Sequence, residues 1–167
     1  MKLLCLLRHA KSSWADAGLS DMQRPLTGRG RKAAGRIAGY LADHRLEPDL
    51  VLCSPARRTR QTLELLGPAL LETTEVAVED DLYGAPAADL LGRLRRLPDA
   101  AGRVLVIGHN PGLQQLAARL APPAERGRLD HFPTAALAVF TLRAGGWTDL
   151  DRRPVELVAF VVPRELD

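Results

Sequence analysis

The chain has 167 residues, 46% of them apolar and 26% charged, a composition that excludes disorder and suits one domain, residues 1–167, with a sizeable core. Lys and Arg number 23 against 20 for Asp and Glu, a formal charge of +3. The cations are interleaved with acids rather than gathered in a tail, which argues against nucleic acid as a partner. No apolar run is long enough to span a bilayer, and Leu3 to Leu7 is too short for the core of an export signal, so a cytoplasmic protein with no membrane partner is expected. Cys5 and Cys53 each lie in an apolar run, the setting of a buried free thiol rather than of a disulfide framework.

The first element is "KLLCLL" (2–7), a continuous apolar run of the kind that suits a strand covered on both faces. It ends on Arg8-His9. Lys11-Ser12-Ser13-Trp14 follow, either as plain loop or as the rim of a site with Trp14 stacking on substrate. From Thr27 to Asp43, Ala33, Ala34, Ile37, Ala38 and Leu41 share one helical face, with Thr27 as the cap. A second buried strand, "LVLC" (50–53), gives way to Ser54-Pro55, a capping residue with proline at the first helical position, and Thr62, Leu63, Leu65 and Leu66 continue that helix. "VAVE" (76–79) is expected as a third buried strand. From Pro86 to Leu97 the leucines 90, 91, 94 and 97 form a helical stripe, with Arg93, Arg95 and Arg96 as solvated charge outside it. "VLVIG" (104–108) is the fourth strand, and Asn110-Pro111 repeats the cap-and-proline opening before Leu113, Leu116, Ala117 and Leu120. Residues 122–133 read as a polar loop. "ALAVFTL" (136–142) and "VELVAFVV" (155–162), either side of Gly145-Gly146, read as a hairpin. The order predicts an α/β fold: a three-layer α/β/α sandwich with a mostly parallel central sheet and a C-terminal antiparallel hairpin.

Three of these strands end on polar loops that lead toward helices. In open α/β sheets, ligands bind beyond the carboxyl ends of the strands, so Arg8-His9, Ser54 to Arg58 and Gly108-His109-Asn110 are expected to converge. Arginines, two histidines and two helix N-termini at one edge suit an anionic ligand. Phosphoryl transfer needs cationic donors on the equatorial oxygens and an in-line nucleophile, which a neutral imidazole supplies. Two arginines with two histidines therefore point to a site that forms a phosphohistidine. A zinc site wants a third ligand beside them, and Cys53 lies within a strand; no metal and no cofactor are expected.

Four stretches carry a resemblance: "LLRHAKSSW", "SDMQRPLTGRGRKAA", "VLCSPARRTRQT" and "VLVIGHNPGL". In this order, from Lys2 to about Leu120, they resemble the histidine phosphatase superfamily, and within it most the SixA-type phosphohistidine phosphatase branch. The resemblance implies that His9 is the catalytic nucleophile and becomes phosphorylated. It implies that Arg8 and Arg58 clamp the phosphate, Arg58 rather than Arg57 because it lies four residues after Ser54. His109 corresponds to the family's second histidine, which hydrogen-bonds the transferring oxygens. Arg24 resembles a further phosphate-facing arginine of the SixA-type branch, and Ser54 and Asn110 are expected to line the substrate site with it. Two departures stand out. The family's usual glycine after the Arg-His pair is Ala10 here. The segment in which many relatives carry a glutamate acid reads "EDDLYGAP", where Asp80 has the mutase-like spacing to Tyr83-Gly84 and Glu79 and Asp81 compete for the role.

Expelling an alkoxide from a phosphate ester wants a positioned acid, whereas a protonated imidazole leaves easily. A poorly defined acid segment thus favours phosphohistidine on a protein as the substrate, hydrolysed through a covalent phosphohistidine intermediate. The partner is accordingly a phosphorylated protein, with a small phosphorylated molecule as the alternative. The rival functions are a phosphatase of a small ester or nucleotide and a noncatalytic phosphoprotein-binding module.

Overall fold

In a computed structural model, described over residues 1–166, the strands are β1 (Lys2–Arg8), β2 (Leu50–Cys53), β3 (Glu75–Val78), β4 (Arg103–Gly108), β5 (Leu137–Leu142) and β6 (Glu156–Val161). The α-helices are α1 (Gly28–Asp43), α2 (Arg57–Glu64), α3 (Ala87–Arg95) and α4 (Gly112–Leu120). The strands form one sheet in the order β3-β2-β4-β1-β5-β6. The first four in that order run parallel, while β5 pairs antiparallel with both β1 and β6. This is the α/β fold with a mostly parallel sheet and a C-terminal hairpin that the strand and helix pattern predicts. The two hairpin strands are not joined by a tight turn: Gly145 takes a left-handed φ of 79° and a single 3-10 turn, Trp147–Asp149, follows.

Continuous apolar runs arise because both faces of the sheet are covered. Leu4, Leu6, Val104 and Val106 belong to one buried cluster with leucines of α3 and α4. Cys5, Leu7, Leu105 and Ile107 alternate onto the other face, against Ala34, Ile37 and Leu41 of α1. Each such side chain contributes about 1.5–3 kcal/mol on burial, so the register of the central strands is strongly specified. Because β4 lies between β2 and β1, the carboxyl ends of these three strands are adjacent: Arg8 is in register with Gly108, and Cys53 with Ile107.

Several sequence expectations need correction. β3 is an exposed edge, not a buried strand: Val76 and Val78 are 43% and 49% exposed. Having one neighbour only, β2, it can leave those side chains on an open face. Ser54-Pro55 does not open α2, which starts at Arg57. The Ser54 hydroxyl accepts only a 3.4 Å bond from the Ala56 amide and makes a 2.7 Å bond to His109 instead. α2 also ends at Glu64, leaving the buried Leu66 in the turn beyond it. Asn110-Pro111 is a cis peptide and α4 begins at Gly112, although the Asn110 side chain does accept from the Gln114 amide at 3.2 Å. Arg93 and Arg95 are not free solvated charges: Arg93 pairs with Glu79 at 2.8 Å, and Arg95 donates to the Leu150 carbonyl. Residues 122–133 are more than loop, for Pro123–Leu129 forms a 3-10 helix and Leu129 and Phe132 are buried. Among the described residues no helix is long and apolar enough to cross a membrane.

Candidate active site

β1 delivers His9 into a buried position, where its Nδ1 lies 2.7 Å from the Ala10 carbonyl oxygen. A carbonyl only accepts, so Nδ1 carries the proton and Nε2 keeps its lone pair. Burial first, then the charges of Arg58 and Arg8 with His109 beside it, lower the His9 pKa to about 3, against the Ala10 bond that opposes them. The imidazole is therefore neutral and unprotonated at Nε2 throughout the neutral range. The backbone that holds it is itself tied down. The Ala10 amide donates to Thr62 Oγ1 of α2 at 3.0 Å, and the His9 carbonyl accepts from the Ala135 amide at 3.0 Å.

His109, from the end of β4, comes within 5.4 Å of the His9 ring, centroid to centroid. A guanidinium has only donors, so His109 Nδ1 accepts from Arg58 Nη2 at 3.4 Å and Nε2–H donates to Ser54 Oγ at 2.7 Å. Burial, followed by Arg58, lowers its pKa to about 4. Ser54 is fully buried and orients this second imidazole. The three strand tips thus converge as the topology requires.

Around the imidazoles stand two arginines with spare donors, Arg58 buried and Arg8 half-buried. Arg8 Nη1 donates to the Phe132 carbonyl at 3.1 Å. Arg58 Nη1 donates to the Asp21 carbonyl at 2.7 Å, and its Nη2 reaches the Asp21 carboxylate at 3.0 Å. The Nε–H groups of both Arg8 and Arg58 are buried with no hydrogen-bond partner among the described residues. Two orphaned charged donors beside a neutral imidazole are the counterpart of a tetrahedral oxyanion.

Arg24 is also buried, but all three of its nitrogens are engaged, by Asp21 Oδ1, by Ser12 Oγ at 2.7 Å and by the Ser13 carbonyl. Its guanidinium lies 3.5 Å from the centre of the exposed Trp14 ring. Arg24 therefore fastens the Ser12–Trp14 loop, and Trp14 stacks on a protein cation. Asn110 binds backbone at both ends of its amide, donating to the Phe132 carbonyl at 2.9 Å. Of the three acids in "EDDLYGAP", Glu79 is gripped by both Nε and Nη2 of Arg93, while Asp80 and Asp81 are exposed. Asp80 opens the 3-10 turn Asp80–Leu82, directly before Tyr83, whose ring meets His109 edge-on at 5.4 Å.

Sequence reasoning missed Asp21, Tyr83, Thr62 and the Phe132 carbonyl. Asp21 receives the Tyr83 hydroxyl and both Arg58 and Arg24. Those contacts, the Tyr83 bond foremost, hold its pKa down to about 2. The available signal was its position three residues before Arg24, the spacing of an acid-base pair on one helical turn.

With this geometry in hand, residues 4–93 match the family model described as histidine phosphatase superfamily, branch 1, and the chain belongs to that superfamily of phosphate hydrolases. Within it the likeness is to the SixA type. The chain is 34% identical over 143 residues to the phosphohistidine phosphatase SixA of Escherichia coli, covering 84% of this chain and 86% of that protein. The structure of the protein histidine phosphatase SixA complexed with tungstate superposes with a TM-score of 0.81 at 28% identity, covering 99% of each chain. The uncharacterized protein Rv1276c of Mycobacterium tuberculosis is 38% identical over 165 residues, 95% of this chain and all of that one.

Proposed function

We propose that this phosphatase hydrolyses phosphohistidine on a protein by two transfers at His9. In the first, the Nε2 lone pair attacks phosphorus, an N–P bond to His9 forms, and the bond to the substrate imidazole breaks. The departing imidazole takes that electron pair and leaves as the neutral ring because it carries a proton. In the second, water attacks the phosphorus, the His9 N–P bond breaks with its electron pair returning to Nε2, and inorganic phosphate departs with the proton of the water. Arg8 and Arg58 hold the equatorial oxygens with the donors that are otherwise orphaned. An arriving phosphoryl group brings negative charge to the Nδ1 side of His109, raises its pKa, and favours the doubly protonated ring that donates to a phosphoryl oxygen. Ser54 keeps that ring in place; Arg24 and Asn110 hold the two loops at the mouth of the site. The whole chain, residues 1–167, acts as one such domain. Its free, buried Cys5 and Cys53 thiols, both pushed up to about 12 by burial, suit the reducing cytoplasm.

The observation that carries this reading is the Nδ1–H bond of His9 to the Ala10 carbonyl, which leaves a neutral Nε2 lone pair among unsatisfied guanidinium donors. Two relatives support the substrate class: one is named a phosphohistidine phosphatase and another was solved with tungstate, a tetrahedral oxyanion. The test is turnover of a phosphohistidine protein against a panel of small phosphate esters. The expected outcome is preference for the N–P substrate, with an acid-labile phosphoenzyme on rapid quench. His9→Ala should lose roughly a thousandfold or more in kcat and all of the phosphoenzyme. Esters far outpacing phosphohistidine would overturn the substrate; undiminished turnover in His9→Ala would overturn the mechanism.

A further inference from the structure

Beside the phosphate site runs a basic groove that the chemistry above does not use. One cavity of about 200 Å3 and an adjoining one of about 630 Å3 share Arg29, Arg36 and Arg164 in their walls; Lys11 borders the first and Lys32 the second. Arg29, Lys32 and Arg36 follow one another at spacings of three and four along α1, so they form a single ridge. Arg164 faces that ridge from the C-terminal 3-10 turn Pro163–Glu165. Among the described residues no carboxylate lines either cavity, and Glu165, though next to Arg164 in the chain, lines neither.

Several arginines elsewhere are matched with acids, as in Arg93–Glu79, Arg119–Asp151 and Arg143–Glu156. Among the described residues, Lys11, Arg29, Lys32 and Arg164 form no ion pair. The floor is apolar, built from Ala33, Pro133, Val162 and Pro163. Two of the groove's residues are close in the chain to residues of the site. Lys11 lies two residues past His9, and His131, on its border, precedes Phe132, whose carbonyl holds Arg8.

We propose that this groove docks an acidic, partly apolar segment of the phosphoprotein substrate flanking its phosphohistidine, a proposal that rests on the phosphohistidine reading above. An apolar floor under a cationic rim matches a peptide that carries both acidic and aliphatic side chains. A small hydrophilic polyanion has no use for such a floor. Docking of this kind tightens substrate binding without touching the chemical step, so it acts on KM rather than on kcat.

The test uses the full chain and two labelled peptides, one with a central histidine flanked by Glu-Leu repeats, the other with Gln in place of each Glu. Unphosphorylated, the Glu peptide should bind roughly tenfold more tightly than the Gln peptide at low salt, with the gap closing as salt rises. The triple variant R29E/K32E/R164E should erase that preference. On the phosphohistidine forms, the variant should raise KM for the Glu peptide roughly tenfold with kcat unchanged. Turnover of p-nitrophenyl phosphate by the variant should match the wild type, which also reports that it folds. Equal binding of the two peptides to the wild type, or an undiminished preference in the variant, would overturn the docking site. Tripolyphosphate binding that R29E/K32E/R164E abolishes, without peptide discrimination, would overturn it in favour of a small polyanion. Groove-dependent binding of the Glu peptide with no turnover of either phosphohistidine peptide would uphold the groove while sinking the substrate reading.

Discussion

Asp21 shows how one carboxylate can sit in a phosphatase site without serving as its acid. Its oxygens take the Tyr83 hydroxyl, Arg58 and Arg24, and with its pKa at about 2 it stays ionised wherever the enzyme works. A group that cannot hold a proton near neutrality cannot donate one, so the task we propose for Asp21 is to aim Arg58 at the phosphoryl group. Asp21→Asn should then reduce kcat/KM for every phosphate substrate alike, by roughly tenfold, without moving any pKa in the pH-rate profile. A fall confined to ester substrates would mean that Asp21 is the acid after all. Asp80 carries the opposite prediction. Exposed like Asp81, and three residues from the Tyr83 that touches His109, it is the acid we propose to protonate an alkoxide. Asp80→Asn should slow alkyl phosphate hydrolysis by roughly a hundredfold and leave phosphohistidine turnover within twofold. Loss of both activities to the same extent would remove Asp80 as a leaving-group acid.

At the scale of elements, the site depends on how closely α1 packs on the loop after β1. The Lys11 carbonyl accepts from the Thr27 amide at 2.9 Å, and Thr27 in turn caps α1 by accepting from the Gly30 amide at 2.9 Å. A Cβ on Gly30 would lie 2.2 Å from the Lys11 carbonyl oxygen, a backbone atom with no room to swing aside. Gly30→Ala must therefore push α1 off the His9-Ala10-Lys11 segment. The expected cost is about 1–3 kcal/mol of stability, seen as a lower Tm, together with a fall in kcat as Nε2 moves. An unchanged Tm would show that the segment is looser than this contact implies. The strands and the convergence of their tips were legible in the sequence because burial on both faces leaves uninterrupted apolar runs, and because parallel order dictates which ends meet. Helix starts were misread where a side chain has a better partner than the helix: Ser54 serves His109 rather than the amides of α2. The spacing of Asp21 to Arg24 could be read, but its place in the site could not, for a different reason. Its partners Arg58 and Tyr83 are 37 and 62 residues away, and no local pattern announces a contact of that range.

For the molecule as a whole, the parallel sheet brings two imidazoles into one buried edge, and that arrangement ties stability to pH. His9 and His109 have pKa values of about 3 and about 4 in the fold, against about 6.5 for histidine in an unfolded chain. Between these limits the unfolded state binds more protons than the folded one, so acid favours unfolding. Above pH ~6.5 both rings are neutral in either state and the effect vanishes. As pH falls below that value the fold loses stability continuously, until His109 and then His9 become protonated within it. Asp21 follows the same sign in a lower window. Its pKa drops from 3.8 to about 2 on folding, so the stability it adds is complete above pH 3.8 and is lost as pH falls through 2. Thermal unfolding between pH 7.5 and pH 5 therefore isolates the imidazoles. The wild type should hold its Tm from pH 7.5 down to about pH 6.5 and lose it steadily from there to pH 5, and His9→Asn/His109→Asn should lose clearly less, since it has no ring to protonate on unfolding. Bound tungstate should shift the curve upward and flatten it, because the anion favours the protonated form of His109 in the folded state and narrows the gap to the unfolded one. Parallel Tm-against-pH curves for the wild type and the double variant would show that the two imidazoles do not control acid stability.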